Sequence, residues 1–159
     1  MTDAKKYTFA IEINRVEEGR VYIRMPLHCT IMHWFYVAST PEDVALAAKE
    51  VIEGHAPVVL ISKAAERYGP NIDIPVHSIV QSADLMSLHW RLYKVMTKLG
   101  VRYTHPEYVG NGYLPHVAER DGFSFPVGTR HQVRRIYLAE AVDEGKPPKK
   151  VVRQIVELN

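Results

Sequence analysis

The run Pro26-Leu27-His28-Cys29-Thr30-Ile31-Met32-His33-Trp34-Phe35-Tyr36-Val37 decides how this chain is read. From Leu27 to Val37 it is a string of aromatic and branched residues, a strand by composition, opened by a proline. Residues two apart on a strand share a face. His28 and Thr30 therefore point together, Cys29 and Ile31 point the other way, and His33 belongs to the face opposite His28. A second segment, Leu114-Pro115-His116-Val117-Ala118-Glu119, repeats the arrangement with its histidine 88 positions after the first. There His116 and Ala118 share one face, with Val117 on the other.

Outward from the first segment, Tyr7–Asn14 alternates, with Tyr7, Phe9, Ile11 and Ile13 on one face. Val21–Met25 reads as a short strand after a Glu-Glu-Gly turn. A helix opens after Val37: Thr40 caps it, Pro41 takes the first helical position, Asp43 suits the dipole, and Gly54 ends it. Pro57–Lys63 and Ala65–Tyr68 read as a strand pair or one bent strand, and Ile74–Val80 as another strand. A second helix starts at Ser82 with the stripe Leu85, Leu88, Leu92, Val95, Met96, Leu99 and stops at Gly100. After a loop over His105–Gly112 come strands over Tyr113–Glu119, Gln132–Ala139 and Val151–Leu158, the last two joined by the basic turn Lys146–Lys150. The order β-β-β-α-β-β-β-α-β-β-β, without strict strand–helix alternation, points to an α+β fold, and its two halves suggest a duplication.

Composition bounds the function. The 159 residues, 47% hydrophobic and 24% charged, fit one globular domain over 1–159 and exclude a disordered chain. No apolar run approaches the roughly 20 residues of a membrane span, and the N-terminal stretch does not have a signal peptide's layout. The lone Cys29 has no internal disulfide partner, so a reduced, cytoplasmic setting is expected. A net charge of +2 is too weak for non-specific nucleic-acid binding, though a local patch for one or two phosphates is compatible with it. Eight histidines are the compositional hint of chemistry.

Two histidines delivered by separate strands suit phosphodiester cleavage. Free imidazole titrates near pH ~6.5, so one ring can be neutral and accept a proton while the other is charged and donates one. Each role is worth roughly 10²–10⁴-fold in rate. Thr30, beside His28, offers a hydroxyl to a non-bridging oxygen. The scheme needs no metal, and no two histidines show the tight spacing of a metal site, so neither metal ligands nor a cofactor is expected.

The pair of segments, His28-Cys29-Thr30-Ile31 and Pro115-His116-Val117, one in each half, resembles the 2H phosphoesterase superfamily, which includes the 2′-5′ RNA ligase-like proteins and cyclic nucleotide phosphodiesterases. The resemblance extends over most of the chain in layout. It implies a bilobal α+β fold: two pseudo-symmetric lobes of antiparallel sheet, each with a helix, and a cleft where His28 and His116 face each other. It implies a metal-independent phosphodiesterase whose substrate is an RNA end with a 2′,3′-cyclic phosphate, a 2′-5′ linkage or a cyclic nucleotide, with no membrane and no obligate protein partner. The departure is Ala118, where the family has Thr or Ser.

Losing that hydroxyl costs roughly 10²–10³-fold unless another group substitutes. Arg120, Arg130, His131 and Arg134 are the candidate cations and Tyr113 the candidate hydroxyl. Arg120 comes first, because a strand continuing to it puts it on the face of His116 and Ala118, and a guanidinium forks onto phosphate. The expected site is thus His28 and His116 as acid–base pair, with Thr30, Arg120 and Tyr113 on the substrate. Trp34, Phe35 and Tyr36 are expected to be mostly core with one of them free to line the cleft, and it, with Tyr103, Tyr108 and Tyr113, is a candidate to stack on a base. Cys29 is expected to be a core thiol, and the remaining histidines packing or surface residues. The rival function is a module that binds RNA or a cyclic nucleotide without cleaving it, Ala118 being its sign of decay. A third class, a metal-dependent hydrolase using the surplus histidines, is the weakest.

Overall fold

The structure is a computed structural model that describes residues 3–145 and 147–158; Lys146, first residue of the basic turn, lies outside them. Strands β1 (Lys5–Glu12), β2 (Val21–Tyr22) and β3 (His28–Val37) precede helix α1 (Pro41–Glu53). Strands β4 (Val59–Tyr68) and β5 (Ile74–Ile79) precede α2 (Ala83–Leu99). There follow β6 (Arg102–Tyr103), two single-turn 3-10 helices, β7 (His116–Ala118), β8 (Arg130–Gln132), β9 (Arg135–Asp143) and β10 (Lys149–Glu157). They build a six-stranded sheet in the order β2-β10-β9-β1-β3-β6 and a four-stranded sheet in the order β7-β5-β4-β8. All described pairings are antiparallel. No helix among the described residues is long and apolar enough to cross a membrane.

Both helices start and stop where their sequence demands. Thr40 accepts from the Asp43 N–H at 3.2 Å and Ser82 from the Leu85 N–H at 3.2 Å, each satisfying one orphan donor of a first turn. Gly100 ends α2 at φ +90°, a left-handed backbone that a side chain would strain. Leu85, Leu88, Leu92 and Met96 are fully buried, each such aliphatic side chain contributing roughly 1.5–3 kcal/mol by leaving water. The helices pack on each other, α1 also on β9 and β10 and α2 on β3.

The large sheet buries both faces, but against different partners. Tyr7, Phe9 and Ile11, with Cys29, Ile31, Ile136 and Leu138, join the core shared with the helices. Ala10, Tyr137, Ala139 and Val152 line the other face in a separate apolar cluster. The expected alternation of Tyr7, Phe9 and Ile11 therefore holds. It is locally broken in β3, where the register against β1 slips twice between Thr30 and Phe35 and buries Ile31 and Met32 in succession.

Two strand expectations are corrected. The run Gln132–Ala139 is not one strand: β8 pairs with β4, β9 with β1 and β10, and the chain changes sheets at Val133 and Arg134. Val133 and Ile136–Ala139 are buried while Gln132 and Arg134 are exposed, and the β-prone residues on both sides of the crossing make the run read as one strand. The expected strand Tyr113–Glu119 shrinks to His116–Ala118, since Pro115 has no N–H for a ladder. Of the two alternatives for Pro57–Tyr68 the single bent strand is the one observed, β4, irregular between Ser62 and Ala64.

Candidate active site

His28 is the first residue of β3 and His116 the first of β7, each reached through a proline-containing turn. The two strands lie against each other where the sheets meet. In both, the ring folds back on its own chain. His28 Nδ1–H donates to the Pro26 carbonyl at 2.8 Å, and His116 Nδ1–H donates to the Leu114 carbonyl at 2.8 Å. A carbonyl only accepts, so each Nδ1 carries the proton and each neutral ring leaves Nε2 as a free base.

Burial shifts both rings in the same direction. Desolvation pulls His28 down to about 4, against the raising effect of the Pro26 carbonyl; the charges of Arg120, His116 and Lys150 lower it further. His116 is also lowered, by desolvation first and then by Arg120, while the Leu114 carbonyl and the Glu66 carboxylate pull it back up. The Tyr68 ring meets His116 edge-on at 4.8 Å, and its hydroxyl donates to Glu66 at 3.4 Å.

A cavity of about 460 Å³ opens beside His28 on the face of the large sheet away from the helices. Thr30, Arg120, Arg24, Tyr137 and Lys150 line it with His28, and Trp34 and Ile74 form part of its wall. Its floor is low because small residues sit between the large ones. Thr30 pairs with Ala10, and Ala10 with Tyr137, so an alanine lies between a threonine and a tyrosine in one cross-strand row. Two other grooves, one between α1 and β10 and one at the β1–β9 edge, contain no histidine.

No protein-family model matches the chain, and no curated protein matches it in sequence. Among solved structures the whole chain superposes on a phosphoesterase, with a TM-score of 0.69, 15% identity and 99% of both chains covered. It superposes equally completely on Escherichia coli LigT solved with 3′-AMP, with a TM-score of 0.67, 15% identity and 99% of both chains covered. The chain has the LigT fold. A protein of Thermus thermophilus is also similar, with a TM-score of 0.57, 16% identity, and 96% of this chain and 97% of that one covered. The bilobal α+β architecture implied by the resemblance is the one observed. LigT itself has also been solved with phosphate, ATP and NADP+.

Within this LigT fold the expected site residues are placed as follows. His28 and Thr30 share the cavity face, and Cys29 is fully buried behind them. Arg120 reaches the cavity by a route other than strand phase. The strand ends at Ala118, and Asp121 and Gly122, both at positive φ, make a tight turn closed by the Arg120–Phe123 bridge. Tyr113 is corrected. It is 5% exposed, its ring stacks on His89 at 4.0 Å, and its hydroxyl donates to the Thr30 carbonyl at 2.8 Å. It therefore holds Thr30 from behind and does not offer its hydroxyl to a ligand. Tyr103 stacks on Tyr93 at 5.2 Å, and Tyr108 packs against His33 at 5.2 Å, so neither lines the cavity; Trp34 does. His131 Nε2–H donates to the Glu12 carbonyl at 2.9 Å, and Arg130 and Arg134 do not line the cavity either.

Tyr137, Arg24, Tyr68 and Glu66 belong to no motif, and sequence reasoning misses them, whereas Lys150 is the last residue of the basic turn Lys146–Lys150. The one local signal is the pair Ala10 and Ala139, small residues on the second phase of otherwise bulky strands. Among the described residues, no three His, Cys, Asp or Glu side chains are grouped to hold a metal ion.

Proposed function

We propose that the chain is a phosphodiesterase that opens a cyclic phosphate or cleaves a short nucleotide linkage by two-histidine acid–base catalysis. The observation that carries the reading is the matched pair of Nδ1–carbonyl bonds, 2.8 Å in each motif. They free Nε2 of both rings at the junction of the two sheets. Structures similar in fold, a phosphoesterase and LigT with 3′-AMP, support a nucleotide ligand.

Burial and neighbouring charge divide the roles. His28, held down to about 4, is neutral at pH 7 and serves as the base. His116 is lowered as well, but it alone of the two has a carboxylate, Glu66, favouring its charged form, and serves as the acid. With a 2′,3′-cyclic phosphate, His28 Nε2 takes a proton from water as the water oxygen bonds to phosphorus. The phosphorus–ribose oxygen bond breaks, and His116 Nε2–H protonates the departing ribose oxygen. The product is a phosphomonoester, and the two rings exchange protons with solvent to return to their starting states. Thr30 and Arg120 stabilise the charge on the non-bridging oxygens, Arg120 in place of the hydroxyl missing at Ala118. No step requires a metal.

A panel of 2′,3′-cyclic nucleotides, linear 2′-5′ and 3′-5′ oligonucleotides and cyclic dinucleotides, read by product chromatography in a strong chelator, tests the reading. Turnover of at least one class by the wild type and not by His28→Ala is expected. Binding with no product from any class would establish the non-catalytic module instead, and activity lost to the chelator would establish a metal-dependent hydrolase.

A further inference from the structure

The cavity beside His28 holds charges, Lys150 and Arg24, that the acid–base scheme does not use. Lys150 Nζ donates to the Ile23 carbonyl at 3.1 Å, which leaves two of its protons unassigned. Burial first, and then the neighbouring Arg120, holds its ammonium below the ordinary lysine pKa. Arg120 in turn donates to the Glu119 carbonyl at 3.0 Å, and no carboxylate bonds it among the described residues. Arg24, at the rim, is bonded to Asp121 at 3.1 Å. Two cations drawn together over a desolvated floor, with only carbonyls as partners, repel each other until an anion joins them.

A second, independent observation lies in the floor. The Tyr137 side chain is 1% exposed, lines the cavity, and its hydroxyl has no hydrogen-bond partner. A buried hydroxyl without a partner costs about as much as a lost hydrogen bond, so its presence there calls for a ligand. Its ring meets His28 edge-on at 6.5 Å. Ala10, small and on the same row, keeps the path from Thr30 to Tyr137 open.

We infer that Lys150 and the Tyr137 hydroxyl form a second anion subsite, next to the scissile phosphate, that takes another phosphoryl group of the same substrate. The inference rests on the proposed phosphodiesterase reading and narrows it. The preferred substrate is a nucleotide chain with at least two phosphates, not a mononucleoside cyclic phosphate. Arg120 lies between the two positions and serves both; Arg24 draws the ligand in from the rim.

Titration calorimetry with three ligands that cannot turn over tests this apart from catalysis: 3′-AMP, adenosine 3′,5′-bisphosphate, and the adenylyl dinucleotide ending in a 3′-phosphate with a methylenephosphonate in place of its phosphodiester linkage. The wild type is expected to bind at least one of the two doubly phosphorylated ligands about tenfold or more tightly than 3′-AMP, the usual worth of a charge-assisted contact. Lys150→Gln and Tyr137→Phe should each shrink that ratio several-fold, Tyr137→Phe being isosteric and keeping the floor packed. Equal affinity for all three ligands, or a ratio that survives both substitutions, overturns the subsite while leaving the phosphodiesterase reading intact. Failure to bind any of the three, together with no product from the substrate panel, overturns both.

Discussion

The Tyr113 hydroxyl donates to the Thr30 carbonyl at 2.8 Å, joining residues 83 positions apart. The bond ties the turn that delivers the second histidine to the strand that carries the first. It also fixes the backbone of the threonine assigned to the phosphate. Stacking on His89 from the other side leaves the phenol no freedom to leave.

Tyr113→Phe keeps the ring and removes only that bond. A stability loss of about 1 kcal/mol is expected, which lowers Tm by roughly 2–4 °C in a chain of this size. Turnover should fall with little change in substrate affinity, because the phosphate grip loosens in position. A thermal melt and a steady-state series measure both; an unchanged kcat would separate Tyr113 from the site.

Replacing His28 or His116 by Ala is expected to lower kcat by at least roughly 10²-fold each, the lower range for a general acid or base. The double variant should lose little more than the worse single one, since the two act as a unit. Retained folding is checked by circular dichroism. Full activity in the double variant would end the two-histidine mechanism.

The pH profile has a defined direction. His28 is lowered to about 4 and must be neutral, so kcat/KM falls only as pH drops towards that value. His116, lowered beneath its ordinary 6.5, must be charged, so kcat/KM also falls as pH rises, and that fall begins below 6.5. The expected bell peaks in mildly acidic solution, and its limbs report the coupled pair. A maximum above pH 8 would contradict the assignment.

Arg120→Ala should lower kcat by roughly 10²–10³-fold if the guanidinium replaces a missing hydroxyl. Ala118→Thr, which restores that hydroxyl on the face of His116, should recover part of the loss in the double variant. Recovery without any effect of Ala118→Thr on the melting temperature ties it to chemistry rather than packing.

His89 links stability to pH. Its Nδ1–H donates to the Ile31 carbonyl at 2.8 Å, and its Nε2 accepts from the Gly110 N–H at 2.9 Å, an arrangement open only to the neutral ring. Burial lowers its pKa from the ordinary 6.5, so the unfolded chain binds the extra proton. Stability is therefore full above pH 6.5 and declines as pH falls below it, with His28 and His33, both near 4, adding to the slope. His89→Gln should flatten the dependence of Tm on pH between 7 and 5 without abolishing it.

What is legible in the chain is local. The caps at Thr40 and Ser82, the stop at Gly100, the opposed faces of His28 and Cys29, and the burial of the Leu85–Met96 stripe all follow from neighbours within a few residues. Tyr113 is offered as a nearby hydroxyl, but Pro115 ends the strand short of it and its ring turns inward against His89. Arg130, His131 and Arg134, offered only as nearby cations, lie away from the cavity because the chain changes sheets between β8 and β9, a crossing that no local pattern marks.

By itself the sequence determined the α+β class, the boundaries of both helices and which face of β3 carries His28 and Thr30, because backbone geometry converts spacing directly into direction. Only the tertiary structure decided that β3 meets β7, that Arg120 turns back on an Asp-Gly bend into the cavity, and that Tyr137 and Lys150 end beside His28. Those are matters of cross-strand register and sheet packing, and residues separated by more than a hundred positions become neighbours through hydrogen-bond ladders that no local pattern encodes.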